Sequence, residues 1–122
     1  MEGMEKIAIT AESVLSQSIS LTIDPANPCG VTVPDIDIQI PVVVVWILPP
    51  GYQFRGSGVS GLGAPDFQDG RFDGLSRRRY RWTAIRGGSG ALRTYSLSFE
   101  WPDASGALQS CVVPNLKIIN RS

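Results

Sequence analysis

The chain has 122 residues, 43% hydrophobic and 18% charged, enough apolar material for one domain with its own core and too much for a disordered chain. Eleven basic and eleven acidic residues leave a net charge of zero, so no bulk field draws it to nucleic acid or an anionic membrane, and self-association is unopposed. Histidine is absent, which removes the commonest general base, the imidazole metal ligand and every histidine-dependent triad.

The start, Met1 to Lys6, carries acids where a signal peptide carries a basic region, and no apolar stretch follows. A cytoplasmic protein is expected. Thr10 to Ser16 reads as a turn or a single helical turn. Residues 1–16 are taken as a partly flexible N-terminal segment, and residues 17–122 as one β-sandwich domain. From Ser18 the pattern has period two: Ile19, Leu21 and Ile23 alternate with Ser18, Ser20 and Thr22, which sends apolar side chains to one face. Cys29 and Cys111 are too few for a disulfide scaffold and make a poor metal site. They read as two reduced, partly buried thiols. A bridge stays open, because a sandwich brings distant strands together.

Ile36, Ile38 and Ile40 alternate with Asp35, Asp37 and Gln39. Val42 to Leu48 is continuously apolar, as in a strand covered on both faces, and too short to cross a bilayer. Pro41 and Pro49-Pro50 guard its ends against aggregation. Pro50-Gly51 fits the centre of a type II turn. A short strand, Gly51 to Phe54, follows, with Tyr52 as the ring expected to be exposed. Residues 55–76 read as loop-like because six glycines interrupt them, with a short strand around Phe67 or Phe72 left open. Gly56-Ser57-Gly58-Val59-Ser60-Gly61 matches G-x-G-x-x-G, but no helix follows to face a phosphate, so a flexible loop is expected. Asp66, Asp69 and Asp73 miss the calcium-loop spacing and read as a solvated turn, with weak Ca²⁺ binding as the alternative.

Arg77-Arg78-Arg79-Tyr80-Arg81-Trp82 is the one basic cluster. As a strand it places Arg77, Arg79 and Arg81 on an exposed face and Tyr80 and Trp82 inward. That separates charge from stacking rings, so nucleic-acid binding is not expected. Tyr52, Arg77, Arg79 and Arg81 are the candidate partner or anion contacts. Thr94 to Trp101 alternates cleanly, with Tyr95, Leu97, Phe99 and Trp101 on the core face. Residues 102–106 make a hairpin loop, Leu108 to Val113 returns, Pro114 breaks the ladder, and Leu116 to Ile119 closes the chain. Trp46, Trp82 and Trp101 are placed in the core rather than on a sugar-binding shelf. Seven or eight short strands at this spacing argue for an all-β sandwich or barrel, and an antiparallel sandwich is the expectation.

The segment Val42 to Gly56, with its Phe54-Arg55-Gly56 ending, resembles the DP-EP family of small bacterial proteins. The strand Tyr95-Ser96-Leu97-Ser98-Phe99 and the closing Pro114-Asn115-Leu116-Lys117-Ile118-Ile119-Asn120 are similar to that family's late hairpin and last segment. Val113 stands where that pattern has an aspartate. The resemblance covers residues 17–121, implies an immunoglobulin-like fold, and brings no activity or catalytic residue. The expected function is therefore a non-catalytic interaction or structural module with no catalytic residue, cofactor or metal. Its expected partner is a protein or a second copy. The alternative is a small-ligand module for carbohydrate or Ca²⁺, acting through loops at one end.

Overall fold

The computed structural model describes residues 6–9 and 16–122, so the turn expected from Thr10 lies mostly outside the described residues. Among the described residues there are nine strands and no helix. They are β1 (Ile7–Ile9), β2 (Ser16–Ser20), β3 (Ile36–Ile38), β4 (Val42–Ile47), β5 (Gln53–Ser60), β6 (Phe67–Phe72), β7 (Arg79–Ala84), β8 (Leu92–Pro102) and β9 (Leu108–Asn120). One sheet has the order β1-β3-β9-β8-β5 and the other β2-β4-β7-β6. The protein is an all-β sandwich, with Trp46, Phe54, Phe67, Tyr95 and Phe99 fully buried in its core.

The sheets are mixed rather than antiparallel throughout. β1 runs parallel to β3, β3 to β9, and β2 to β4. β1 and β2 give the chain's start one strand in each sheet, and β3 and β4 do the same for the next stretch. Parallel neighbours need a crossover connection, and residues 21–35 supply it. Ile7 already pairs with Ile36, so the folded sheets reach N-terminal to residue 17. Lys6 and Arg121 both reach the buried carboxylate of Asp37 in β3, at 3.0 and 3.1 Å. Burial pushes that carboxyl up, and the two cations more than offset it, holding it below the ordinary value.

Residues 55–76 are not loop throughout, because β5 and β6 occupy much of them. Both strands are bulged. Residues 55–58 of β5 stand opposite Ser98 alone, and residues 69–70 of β6 stand opposite Trp82 alone. Glycines serve these bulges. Gly58 has φ +49°, and a Cβ there would lie 2.6 Å from the Tyr80 ring. A Cβ on Gly70 would overlap the Trp82 indole. The G-x-G-x-x-G segment is thus a bulged edge strand that admits aromatic rings.

Pro114 does not end the last strand. Tyr95 pairs with Leu116 and Leu97 with Val113, so Pro114 and Asn115 together face Ser96. In that bulge the missing N–H costs no ladder bond, and Asn115 takes the left-handed φ of 62°. The cysteines also depart from expectation. Cys29, on the 21–35 connection, is bridged to Cys111 of β9, with Cα atoms 5.4 Å apart. The crossover returns Cys29 to the middle of the first sheet, a placement that sequence spacing does not convey.

Candidate functional site

At one end of the sandwich three connections meet: the β4–β5 turn, the β6–β7 turn and the β8–β9 hairpin. Pro50 and Gly51 occupy the centre of the first, with Gly51 at φ 93° and the Tyr52 N–H bonded to the Pro49 carbonyl at 3.3 Å, as the type II reading expects. An open cleft of about 550 Å³ lies between these connections. Its lining is Tyr52, Gln53, Arg77, Arg78, Pro102 and Leu108, with Gly51 and Ser76.

Arg77 and Arg78 clamp the two ends of the β4–β5 turn. The Phe54 N–H donates to the Arg77 carbonyl at 2.7 Å, and Arg77 Nη2 donates back to the Phe54 carbonyl at 3.2 Å. Likewise the Leu48 N–H donates to the Arg78 carbonyl at 2.8 Å, and Arg78 Nε donates to the Leu48 carbonyl at 3.1 Å. The Arg77 guanidinium also sits 4.6 Å from the centre of the Phe72 ring, a cation–π contact. Each guanidinium thus spends one of its five N–H donors on a backbone carbonyl and is held in place by it. Among the described residues neither arginine forms an ion pair.

The opposite wall is apolar. Tyr52 is half-buried rather than exposed, because its ring packs on Phe99 and Trp101 with centroids 6.1 and 5.5 Å apart. Leu108 is 64% exposed, and Leu75, beside Ser76, is fully exposed. Gln53 is turned away to Glu100, its Nε2 2.6 Å from Oε2. Asp103 is spent on its own hairpin. The Ser105 hydroxyl, then the Ser105 and Ala107 N–H groups and Gln109, hold its carboxyl below the ordinary value.

The basic cluster therefore divides. Arg79 and Arg81 share the outer face of β7, half-buried rather than exposed, and both lie against the single carboxylate of Asp73. That carboxylate lies 3.0 Å from Arg79 Nε and 3.8 Å from Arg81 Nη1. Arg77 is not on that stripe, since β7 begins at Arg79 and Arg77 belongs to the preceding turn. Of the four sequence candidates, the cleft brings Tyr52 and Arg77 together and leaves Arg79 and Arg81 outside. Arg78, Pro102 and Leu108 were missed. The pairing of Pro102 with Leu108 across the hairpin was the available signal, because it sets both beside one turn. Tyr80 faces inward and is buried. Trp82 and Trp101 are half-buried and pack against the core, and the Trp82 indole donates to the Val59 carbonyl at 2.7 Å.

The three aspartates suggested for Ca²⁺ do not act together. Asp66 is fully buried and bound by Arg93 and Ser89, Asp73 is held by Arg79, and Asp69 sits in the β6 bulge. Among the described residues no three His, Cys, Asp or Glu side chains are grouped to hold a metal. Asn120, in a glycosylation-like tripeptide, is fully buried and donates to the Asp66 and Ile85 carbonyls. Among the described residues no helix is long and apolar enough to cross a membrane. Comparison with protein-family models and with curated proteins finds no match to this chain, so the DP-EP resemblance gains no support there.

Proposed function

We propose that the protein is a non-catalytic, immunoglobulin-like interaction module that docks a segment of a partner protein in the cleft at the β6–β7 end. The observation that carries this reading is the pair Arg77 and Arg78, anchored by backbone carbonyls and, among the described residues, without carboxylate partners, facing an apolar wall of Tyr52, Pro102 and Leu108. Convergent polar groups beside apolar side chains in a concavity are what a binding site requires. The immunoglobulin-like part draws on two open sheets with hairpin loops gathered at their ends. The bridge between Cys29 and Cys111 favours an oxidising compartment over the cytoplasm expected from the sequence.

A small-ligand reading keeps one specific support, the Tyr52 ring at the cleft, tilted 47° against Trp101 and offering a sugar an aromatic surface. Amide chemical shifts separate the two readings. Pools of random peptides are expected to move resonances of residues 51–53, 76–78 and 102–108. Oligosaccharides moving the same resonances, with peptides silent, would establish the small-ligand reading instead. If neither moves them, the cleft is not a binding site.

A further inference from the structure

We infer that the cleft takes an acidic peptide segment, with its carboxylates on Arg77 and Arg78 and a neighbouring aliphatic or aromatic side chain against Tyr52, Pro102 and Leu108. This rests on the reading of the cleft as the docking site. Charge is the first argument. Residues 71–81 hold five arginines and one aspartate, a net +4 in a chain whose total is zero. Beside the cleft Glu100 and Asp103 subtract two charges and Arg55 adds one, so this end keeps a net +3 and the rest of the chain carries −3. Such a distribution steers an acidic partner to the cleft and repels a basic one.

Donor geometry is the second. A guanidinium presents a planar fork that matches a carboxylate, and these two are already oriented by the Phe54 and Leu48 carbonyls. Holding them in place before binding lowers the entropy lost on docking. Among the described residues, the carboxylates at this end are engaged elsewhere: Asp73 with Arg79, Asp103 with its hairpin, Glu100 with Gln53.

The walls decide the kind of anion. Nucleic acid would need exposed stacking rings along a track of cations. Here Tyr52 is half-buried against Phe99 and Trp101, and the next two arginines on the chain are tied to Asp73. Pro102 and the exposed Leu108 offer an aliphatic surface beside the charge, which suits a peptide side chain next to an acidic one.

The test is selection from a phage library of random heptapeptides on the immobilised full chain, with a parallel selection on the Arg77→Gln/Leu108→Ser variant. Far-ultraviolet circular dichroism and melting confirm that the variant is folded. Peptides enriched only on the parent chain are expected to carry Asp or Glu beside an aliphatic or aromatic residue. For the leading peptide, amidating its acids should weaken binding about tenfold, as loss of a charge-assisted pair does. Raising salt from about 50 to about 300 mM should weaken it further. Cleft-dependent enrichment of neutral or basic peptides overturns the acidic inference and leaves the docking reading standing. Enrichment that ignores the double variant sinks both. A chain that dimerises and is dissociated by Leu108→Glu names a second copy as the occupant and likewise overturns the inference.

Discussion

The two ends of the sandwich handle charge in opposite ways. At the end away from the cleft, Asp66 is fully buried and every neighbour answers it. The Ser89 N–H donates at 2.7 Å, its hydroxyl at 2.9 Å and Arg93 Nε at 2.8 Å. Asn120 adds a bond to the Asp66 carbonyl at 2.8 Å, so the β6 start, the β7–β8 loop and the end of β9 are joined at one point. At the cleft end, Arg77 and Arg78 are anchored by carbonyls but carry no counter-charge among the described residues. Charge that is buried and fully paired fixes a fold. Charge that is oriented but unpaired at an open concavity is left for a partner. The comparison makes claims that can be broken.

The largest expected effect sets the scale and belongs to neither end. The Cys29–Cys111 bridge spans 82 residues, and removing such a cross-link from a small domain costs about 2–5 kcal/mol. Denaturant unfolding with and without reductant measures it. Unchanged midpoints would mean that the thiols are not bridged in solution.

Next comes Asp66→Asn, which removes the charge from the paired end. The expected loss is about 2–3 kcal/mol, the range for buried hydrogen bonds to a charged group. The acid response sharpens the point. Burial pushes the Asp66 carboxyl up, and Ser89 and Arg93 more than offset it, leaving it below its ordinary value. Its contribution is therefore fully present above the unfolded carboxylate value of about 4 and is lost as pH falls through the lower folded value. Unfolding midpoints measured against pH should fall steeply below about pH 4 in the parent and less steeply in the variant. Parallel curves would show that the Asp66 charge is not linked to stability.

Asn120→Ala follows, at about 1–3 kcal/mol, because it strips a donor from the Asp66 and Ile85 carbonyls. Ile85 keeps a bond from the Ser122 hydroxyl, which favours the lower part of that range. Thermal melting checks it. A loss under about 0.5 kcal/mol would mean that this end is not held together through Asn120.

What the sequence made legible tracks how local each feature is. Alternation from Tyr95 to Phe99 placed core residues correctly, since period two is decided by adjacent residues, whereas at Ile36–Ile38 it found both isoleucines but not the burial of Asp37 between them. Glycines hid β5 and β6, because a bulge and a loop use the same residues and only the partner strand distinguishes them. Pro114 looked like a stop for the same reason. The parallel pairings and the bridge depend on a crossover, and the meeting of Tyr52 with Arg77 on backbone bonds between two distant turns, none of which a short window encodes. The basic cluster was read as one stripe because its arginines are near-neighbours in sequence. The start of β7 at Arg79 splits it, and the two halves meet different surroundings.

That split yields the smallest and most discriminating stability prediction. Arg77→Gln should cost no more than about 1 kcal/mol, the range for an exposed cation–π contact. Glutamine retains an N–H that can reach toward the Phe54 carbonyl, and the reciprocal Phe54 N–H bond goes to the Arg77 backbone, which the substitution leaves intact. What is lost is the cation over Phe72 and the charge at the cleft. Melting of the variant beside Asp66→Asn measures the contrast directly. A large loss at Arg77 would make it a structural clamp like Asp66, and the two ends would then differ in exposure but not in purpose. A small loss, with Asp66→Asn strongly destabilised, leaves the oriented charge at the cleft with little role in holding the fold.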